Sequence, residues 1–291
     1  MASMRQIRSR IRVAKNIQQI TKAMKMVAAA RLRRAQESVE ASRPYASRLR
    51  EVMSRLAGSG GSAAQHALLR QPSGSPKRIG IVLVSGDRGL CGSFNSNSIR
   101  RASETLRGYE VGNARLVTVG KRGTAFFRRR GYRILNEYTI PPAADAFAVS
   151  KKIAADAVQM FESGDVDIVY MVYTRFVSAM TQQVQALQLL PVATPEASAS
   201  SEGPQAEVIF EPSVEEILSE LIPRYVDTLV FQGIVESTAS FFGAQMTSMS
   251  AATDNAGKMI NTLTLSLNRA RQAAITKEIA EIVGGADALR G

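Results

Sequence analysis

"MTSMSAATDNAGKMINTLTLSLNRARQAA" occupies residues 246–274, and the reading of its apolar positions decides the fold. Met246, Met249, Thr253, Ala256, Ile260, Leu263, Leu267, Ala270 and Ala274 recur at alternating steps of three and four, the rhythm of a coiled-coil seam. Around that seam the residues are small and polar, so the face available for burial is narrow. No Pro follows Pro223. The 60 residues from Arg224 to Val283 would reach roughly 90 Å as one helix, far longer than a globular domain requires.

Such a rod needs a partner, and the other end of the chain offers one. Ser3 to Ser42 contains neither Gly nor Pro, and Ile7, Ile11, Ala14, Ile17, Thr21, Met24, Ala28 and Leu32 keep the same spacing, which predicts a long helix with an equally narrow stripe. An antiparallel pair built from both chain ends satisfies both stripes; a self-associating homodimer is the competing arrangement. Pro44 is expected to break or kink the first helix, with Ser42 capping a continuation through "ASRLREVMSRLA" before "GSGGS" ends the pattern. Beyond Pro212, "SVEEILSELI" starts at a Ser with acids in its first turn, a helix start.

Between the two ends the pattern changes. "KRIGIVLVSG", "ARLVTVG", "YRILNEY" and "DIVYMVYTRF" are short β-rich runs, and 93–108, 121–130 and 145–163 between them have helical composition, which predicts an alternating α/β sheet. "MTQQVQALQLLPV" reads as a further strand able to pair with "DIVYMVYTRF" as a hairpin, followed by the polar low-complexity loop "ATPEASASSEGPQ".

Composition excludes several classes of function. The single Cys91 rules out a disulfide framework within the chain and a Cys-rich zinc site, and the single His66 leaves almost nothing for metal ligation or His-based catalysis. No cofactor, metal or catalytic residue is expected. No run of 18 apolar residues spans a membrane, and no apolar signal segment opens the chain; a soluble protein of a reducing compartment is expected. The net charge of +12 is concentrated: residues 1–57 hold 14 Lys and Arg against Glu37, Glu40 and Glu51, so that +11 of it lies there. That segment suits an anionic partner, whether nucleic acid, a lipid surface or an acidic protein face; a solvated helix face is the plainer reading.

Other motifs weigh towards structure. "SGDRGLCGSFN" follows a strand and precedes a helix, and its glycines could cradle a phosphate. It has neither the G-x-G-x-x-G spacing nor G-K-[ST], so a strand-to-helix turn is the expectation. Cys91 is expected as a small buried hydrophobe, and Met24, Met26, Met246, Met249 and Met259 as seam and core.

"RQIRSRIRVAKNIQQITKAMKMVAAARLRRAQ", "GDRGLCGSFN" and above all "NRARQAAITKEIAEIVGGADAL" resemble the gamma subunit of the rotary ATP synthase. The closing motif I-T-x-E-x-x-E-x-x-x-G-A is met by Ile275, Thr276, Glu278, Glu281, Gly285 and Ala286. The resemblance implies an α/β fold class: a long antiparallel coiled coil of the N- and C-terminal helices plus a central Rossmann-like α/β domain. The expected bounds are 1–57 and 212–291 for the shaft, 58–76 for a linker and 77–211 for the α/β domain. It implies a central rotor shaft inserted in a hexamer of alternating alpha and beta subunits, one copy per complex, with the α/β domain on the membrane c-subunit ring beside the epsilon subunit. Rotation of the ring would then drive the catalytic beta sites, and the chain itself would be non-catalytic. On this resemblance Arg271 and Gln272 match positions that contact a loop of beta, with Thr276, Glu278 and Glu281 on the same face. Met24, with Lys22 and Lys25, matches the region facing an acidic segment of beta. Plant plastid members carry an inserted cysteine pair; the segment after Pro191 here is short and Cys-free, so thiol regulation is not expected. The start "MASMRQIRSRI" leaves no room for a presequence, which favours a peripheral protein on the cytoplasmic face of a bacterial inner membrane, or a mature organellar one. No nucleic-acid partner and no insertion into the membrane are implied. The alternatives are a basic coiled-coil nucleic-acid-binding protein, with strongly salt-dependent affinity, and a nucleotide enzyme using the glycine loop.

Overall fold

The computed structural model describes residues 4–58, 67–69, 74–192 and 214–288. Both chain ends form long helices, α1 over Met4–Gly58 (55 residues) and α5 over Val214–Ala288 (75 residues). The chain divides into two compact units: residues up to Val27 together with those from Met246 onward, and Ala28–Gln245.

Neither Pro44 nor Pro223 interrupts its helix, although an internal Pro costs about 3 kcal/mol. Burial on both sides offsets that cost. Val39, Ala46, Leu49 and Met53 continue one buried stripe through Pro44, and Leu218, Ile222, Tyr225 and Val226 do the same around Pro223. Ser42 does not cap a new helix as expected. Its hydroxyl donates back to the Val39 carbonyl (2.8 Å), the mid-helix behaviour of a Ser whose backbone is held by packing.

In the Ala28–Gln245 unit the expected strands and helices all form: β1 Ile79–Val84, α2 Phe94–Thr105, β2 Ala114–Val119, α3 Lys121–Arg128, β3 Arg133–Tyr138, α4 Ala146–Glu162, β4 Ile168–Phe176 and β5 Gln182–Leu190. They build one sheet in the order β3-β2-β1-β4-β5. The first four strands run parallel and β5 returns antiparallel to β4 as the hairpin anticipated from sequence. The central β1 is buried at every position, as a parallel strand covered on both faces must be. One face packs Leu83 and Leu116 against Ala102 of α2 and Phe127 of α3. The other packs Val82, Val117 and Met171 against α4 and the segment Leu218–Ile234 of α5.

Polar bonds fix α5 to β4. Ser237 Oγ accepts from the Thr174 amide (2.9 Å), Ser240 Oγ donates to the Thr174 carbonyl (3.2 Å), and the buried Glu236 accepts from the Phe176 amide (3.3 Å). At Gly233 the helix lies so close to the sheet that a Cβ would strike the Met171 thioether. Ala67–Leu69, within the segment expected to be a linker, forms a short 3-10 turn whose Leu68 and Leu69 are buried in the α4/α5 core. His66, the loop 193–205 and the helix start at Ser213 lie outside the described residues.

Candidate interaction surface of the helical pair

Up to Val27, α1 runs against α5 from Met246, and the contacts fix their direction. Lys25 Nζ donates to Ser250 Oγ (3.0 Å), Thr253 Oγ1 donates to Thr21 Oγ1 (2.8 Å), and a Cβ on Gly257 would lie 3.1 Å from Gln18 Nε2. As the number rises on one helix it falls on the other, so the pair is antiparallel and lies within one chain. The α5 seam is the expected one: Met249 and Ala256 are buried, and Met246, Thr253, Ile260, Leu263, Leu267, Ala270 and Ala274 are half-buried.

On α1 one seam position differs. Ile7, Ala14 and Thr21 are buried, but Ile17 is 47% exposed and Gln18 is half-buried in its place. The step of three or four after Ala14 admits either residue, and Gly257 on the facing helix leaves room for the longer amide. Ile17 instead joins Val13, Ile20 and Val27 on an exposed apolar stripe spaced by four, three and seven. Met26 and Met259, expected in the core, are also exposed, whereas Met24 is half-buried.

This register determines how the pair ends. Continued to Met4, it brings the start of the described α1 opposite the turn around Ala270, so α5 beyond Ala274 has no facing helix among the described residues. Every residue from Ile275 to Ala286 is exposed. Ile275, Ile279 and Ile282 form an apolar row on this turn-by-turn bare helix, flanked by Val283. Four large apolar side chains on one lone helix constitute a face awaiting a partner.

The polar residues expected to act here are all exposed, but they do not share a face. Helical residues turn about 100° each, so Thr276 and Glu278 point to nearly opposite sides, and the expectation of one face for Thr276, Glu278 and Glu281 fails. Gln272 and Thr276 stand one turn apart and are joined by the Thr276 hydroxyl donating to the Gln272 carbonyl (3.0 Å). Arg271 and Glu278, seven apart, share a second side. Glu281 pairs with Lys277 at 3.4 Å on a third, an exposed i,i+4 pair, worth about 0.3–0.5 kcal/mol. The isoleucine row runs between the first two sides.

Charge on this unit is lopsided. Arg5, Arg8, Arg10, Arg12, Lys15, Lys22 and Lys25 are all exposed on α1 before Val27, with no acid among them. None of the seven has an ion pair among the described residues, and Lys25 donates a hydrogen bond across the seam.

The glycine loop of the other unit is closed by its own side chains. Asn95 Oδ1 accepts from the Gly86 amide (2.7 Å), and its Nδ2 donates to the Arg88 carbonyl (3.0 Å). Asp87 accepts from the amides of Lys121 and Ile140, each at 3.1 Å. Ser85 Oγ accepts from the Gly123 amide (2.9 Å), beneath Gly120, whose φ of 97° and contact with the Ser85 carbonyl admit no Cβ. Amides at this loop and at the start of α3 are thus already engaged. Cys91 is buried, which raises its thiol above the ordinary value, although contacts from Asn95 and Arg122 oppose the shift. That is the environment of an inert thiol. Among the described residues no cluster of His, Cys, Asp and Glu could hold a metal, and no helix is long and apolar enough to cross a membrane.

Comparison with known proteins adds the following. A family described as ATP synthase matches residues 3–289. The sequence is 50% identical over 289 residues to a protein named ATP synthase gamma chain from Desulforamulus reducens, covering 99% of this chain and 100% of that one. It is 48% identical to the gamma chain of Heliobacterium modesticaldum with the same coverage. A chain of the Euglena gracilis mitochondrial ATP synthase has the same fold (TM-score 0.66, 17% identity, 98% of this chain and 94% of that one). So does a chain from the central stalk and c-ring of the Tetrahymena thermophila enzyme (TM-score 0.59, 23% identity, 80% and 99%).

Proposed function

Because the chain belongs to the ATP synthase gamma chain family, we propose that it is the central rotor shaft of a proton-translocating ATP synthase, with the bare end of α5 seated inside a hexamer of alternating alpha and beta subunits. The chain is a non-catalytic subunit. Turning it presents different sides of the helical pair to the catalytic beta subunits in succession, and ATP synthesis and hydrolysis take place there.

The observation that carries the reading is the stretch from Ile275 to Ala286, exposed at every residue, apolar along one row and without a facing helix among the described residues. As the end of a continuous 75-residue helix the stretch needs no new nucleus, but an apolar row left bare in water has a reason only if another protein covers it. On this reading Arg271, Gln272, Thr276, Glu278 and Glu281 point to three different sides and meet different subunits at any one moment. Lys22 and Lys25 beside Met24, within the cationic start of α1, face an acidic segment of beta. Exposed pairs of this kind contribute about 0–1 kcal/mol each, which suits contacts that are made and broken at every step. The remaining partners on this reading are the epsilon subunit and the membrane c-subunit ring, with one shaft per complex on the cytoplasmic face of the membrane, or the matrix or stromal face in an organelle. The shaft comprises 1–57 and 212–291, and the α/β domain 77–211.

Nothing observed favours the nucleic-acid reading. The test is ATP hydrolysis by matched alpha and beta subunits with and without this chain. Turnover, together with a complex holding one copy, should appear only when all three are mixed; a chain that never enters the hexamer would refute the proposal.

A further inference from the structure

Within the Ala28–Gln245 unit, at the carboxyl ends of β1 and β3, lies an open groove of about 590 Å³. This volume falls in the range of small-molecule sites, roughly 300–1,000 Å³, and the edge is where open α/β sheets place ligands. Its walls are apolar, with the rings of Phe231 and Phe242 among them, and its cations are Arg31, Arg34 and Arg88. All three arginines are exposed, and none is paired with a carboxylate among the described residues. Arg31 lies over the Phe242 ring at 5.8 Å. The only acid lining the groove is Asp87, and both of its oxygens already accept backbone amides, from Lys121 and Ile140. The hydroxyl of Ser38 donates to the Arg34 carbonyl and so is not free to choose a ligand.

We propose that this groove binds a small amphipathic anion: an aromatic body against Phe231 and Phe242, with a single carboxylate held by Arg34 and Arg88. Three unpaired guanidinium groups around an aromatic-walled cavity select for charge and ring together. A neutral ring gains only the apolar contact, and a small inorganic anion gains only the charge. A guanidinium meets a carboxylate through two parallel N–H donors, which makes arginine suited to this task. The inference does not depend on the rotor reading, and its failure would leave that reading untouched.

The test is calorimetric titration of the full chain, at low salt, with 1-naphthoate and with neutral 1-naphthalenemethanol. The chain has no Trp, so naphthalene fluorescence provides a second readout with little protein background. Naphthoate should bind one site per chain at least tenfold more tightly than the alcohol. Arg34→Gln with Arg88→Gln should reduce that ratio to about one, and Ser38→Trp, which puts an indole into the groove, should abolish binding of both. Since the arginines are exposed, the melting temperature of the double variant should match the parent's. Equal binding of the two compounds would overturn the proposal, as would naphthoate binding that both variants leave intact, which would place it on another basic or apolar surface.

Discussion

Replacing Ile275, Ile279 and Ile282 together by Ser separates a face made for a partner from a face made for folding. The side chains are 49%, 56% and 71% exposed, so the isolated chain already leaves most of their apolar surface in water. Fully burying an Ile contributes about 1.5–3 kcal/mol. Covering the exposed half to two-thirds would contribute about 1–2 kcal/mol per residue, or roughly 3–5 kcal/mol for the row. Ile and Ser have nearly equal helix propensity, so the substitution leaves the helix itself little changed. The isolated variant should therefore melt within about 2 °C of the parent, since surface changes of this kind stay within about 0.5 kcal/mol. Its affinity for an alpha–beta hexamer should fall by roughly a hundredfold to a few thousandfold, at about 1.4 kcal/mol per factor of ten. Melting by circular dichroism and titration of the hexamer by recovery of ATP hydrolysis measure the two quantities. A variant that assembles like the parent would refute the argument that this row is buried in the complex. A variant that melts early would show that the row is covered within the chain.

Four further expectations concern stability. Gly233→Ala should destabilise by up to about 2 kcal/mol, because overpacking against the fully buried Met171 costs about 1–3 kcal/mol and is offset by a helix-propensity gain of only about 1 kcal/mol; Gly284→Ala, with nothing within 4 Å of its new methyl group, should instead slow local hydrogen exchange about fivefold. Asp167, which burial alone would push up, is held below its ordinary 3.8 by Arg78 Nη2 at 2.6 Å and the amides of Lys77 and Arg78. Its stabilisation is therefore present above pH 3.8 and lost as pH falls through the lower folded value, so Asp167→Asn should cost about 1 kcal/mol at pH 7 and progressively less as the pH falls below 3.8, as read from denaturant melts. Asp227 has the opposite sign: burial raises it and Lys151 only partly compensates. Asp227→Asn should raise the melting temperature at pH 7 and lose that advantage below pH 3.8.

What was legible in the sequence was whatever one helix or strand decides by itself. The α5 seam from Met246 to Ala274 came through at every position, because its surroundings are too small and polar for another stripe to compete. The strands came through because β1, β2 and β4 are dense in β-branched residues between turns. Ile17 did not, since its burial depends on Gly257, some 240 positions away, leaving room for Gln18. Pro44 did not, because its local cost is outweighed by a buried stripe that only the tertiary structure supplies. The misplacement of Thr276, Glu278 and Glu281 on one face had a simpler cause: residues two apart on a helix diverge, as the 100° turn requires. The arginine-lined groove joins α1, α5 and two loops, and no single stretch of sequence contains it.

The helical pair assigns different contacts to different tasks. Its seam is narrow and built from Ala, Thr, Gly and Met as much as from Leu and Ile, so the helices approach closely, and polar bonds such as Thr253 to Thr21 and Lys25 to Ser250 fix their register. Those contacts never need to break. Outside the seam the pair presents lone cations, one exposed i,i+4 ion pair and two narrow apolar rows, Val13, Ile17, Ile20 and Val27 on α1 and Ile275, Ile279 and Ile282 on α5, rather than one broad adhesive face. A shaft glued by a broad apolar surface would settle in one position, whereas one with no outward apolar row would have nothing to seat it in the hexamer. The concentration of positive charge before Val27 resolves the tension on the proposed reading: it attracts acidic partners at long range while each exposed pairing remains worth at most about 1 kcal/mol, so the attraction survives rotation and no single contact prevents it.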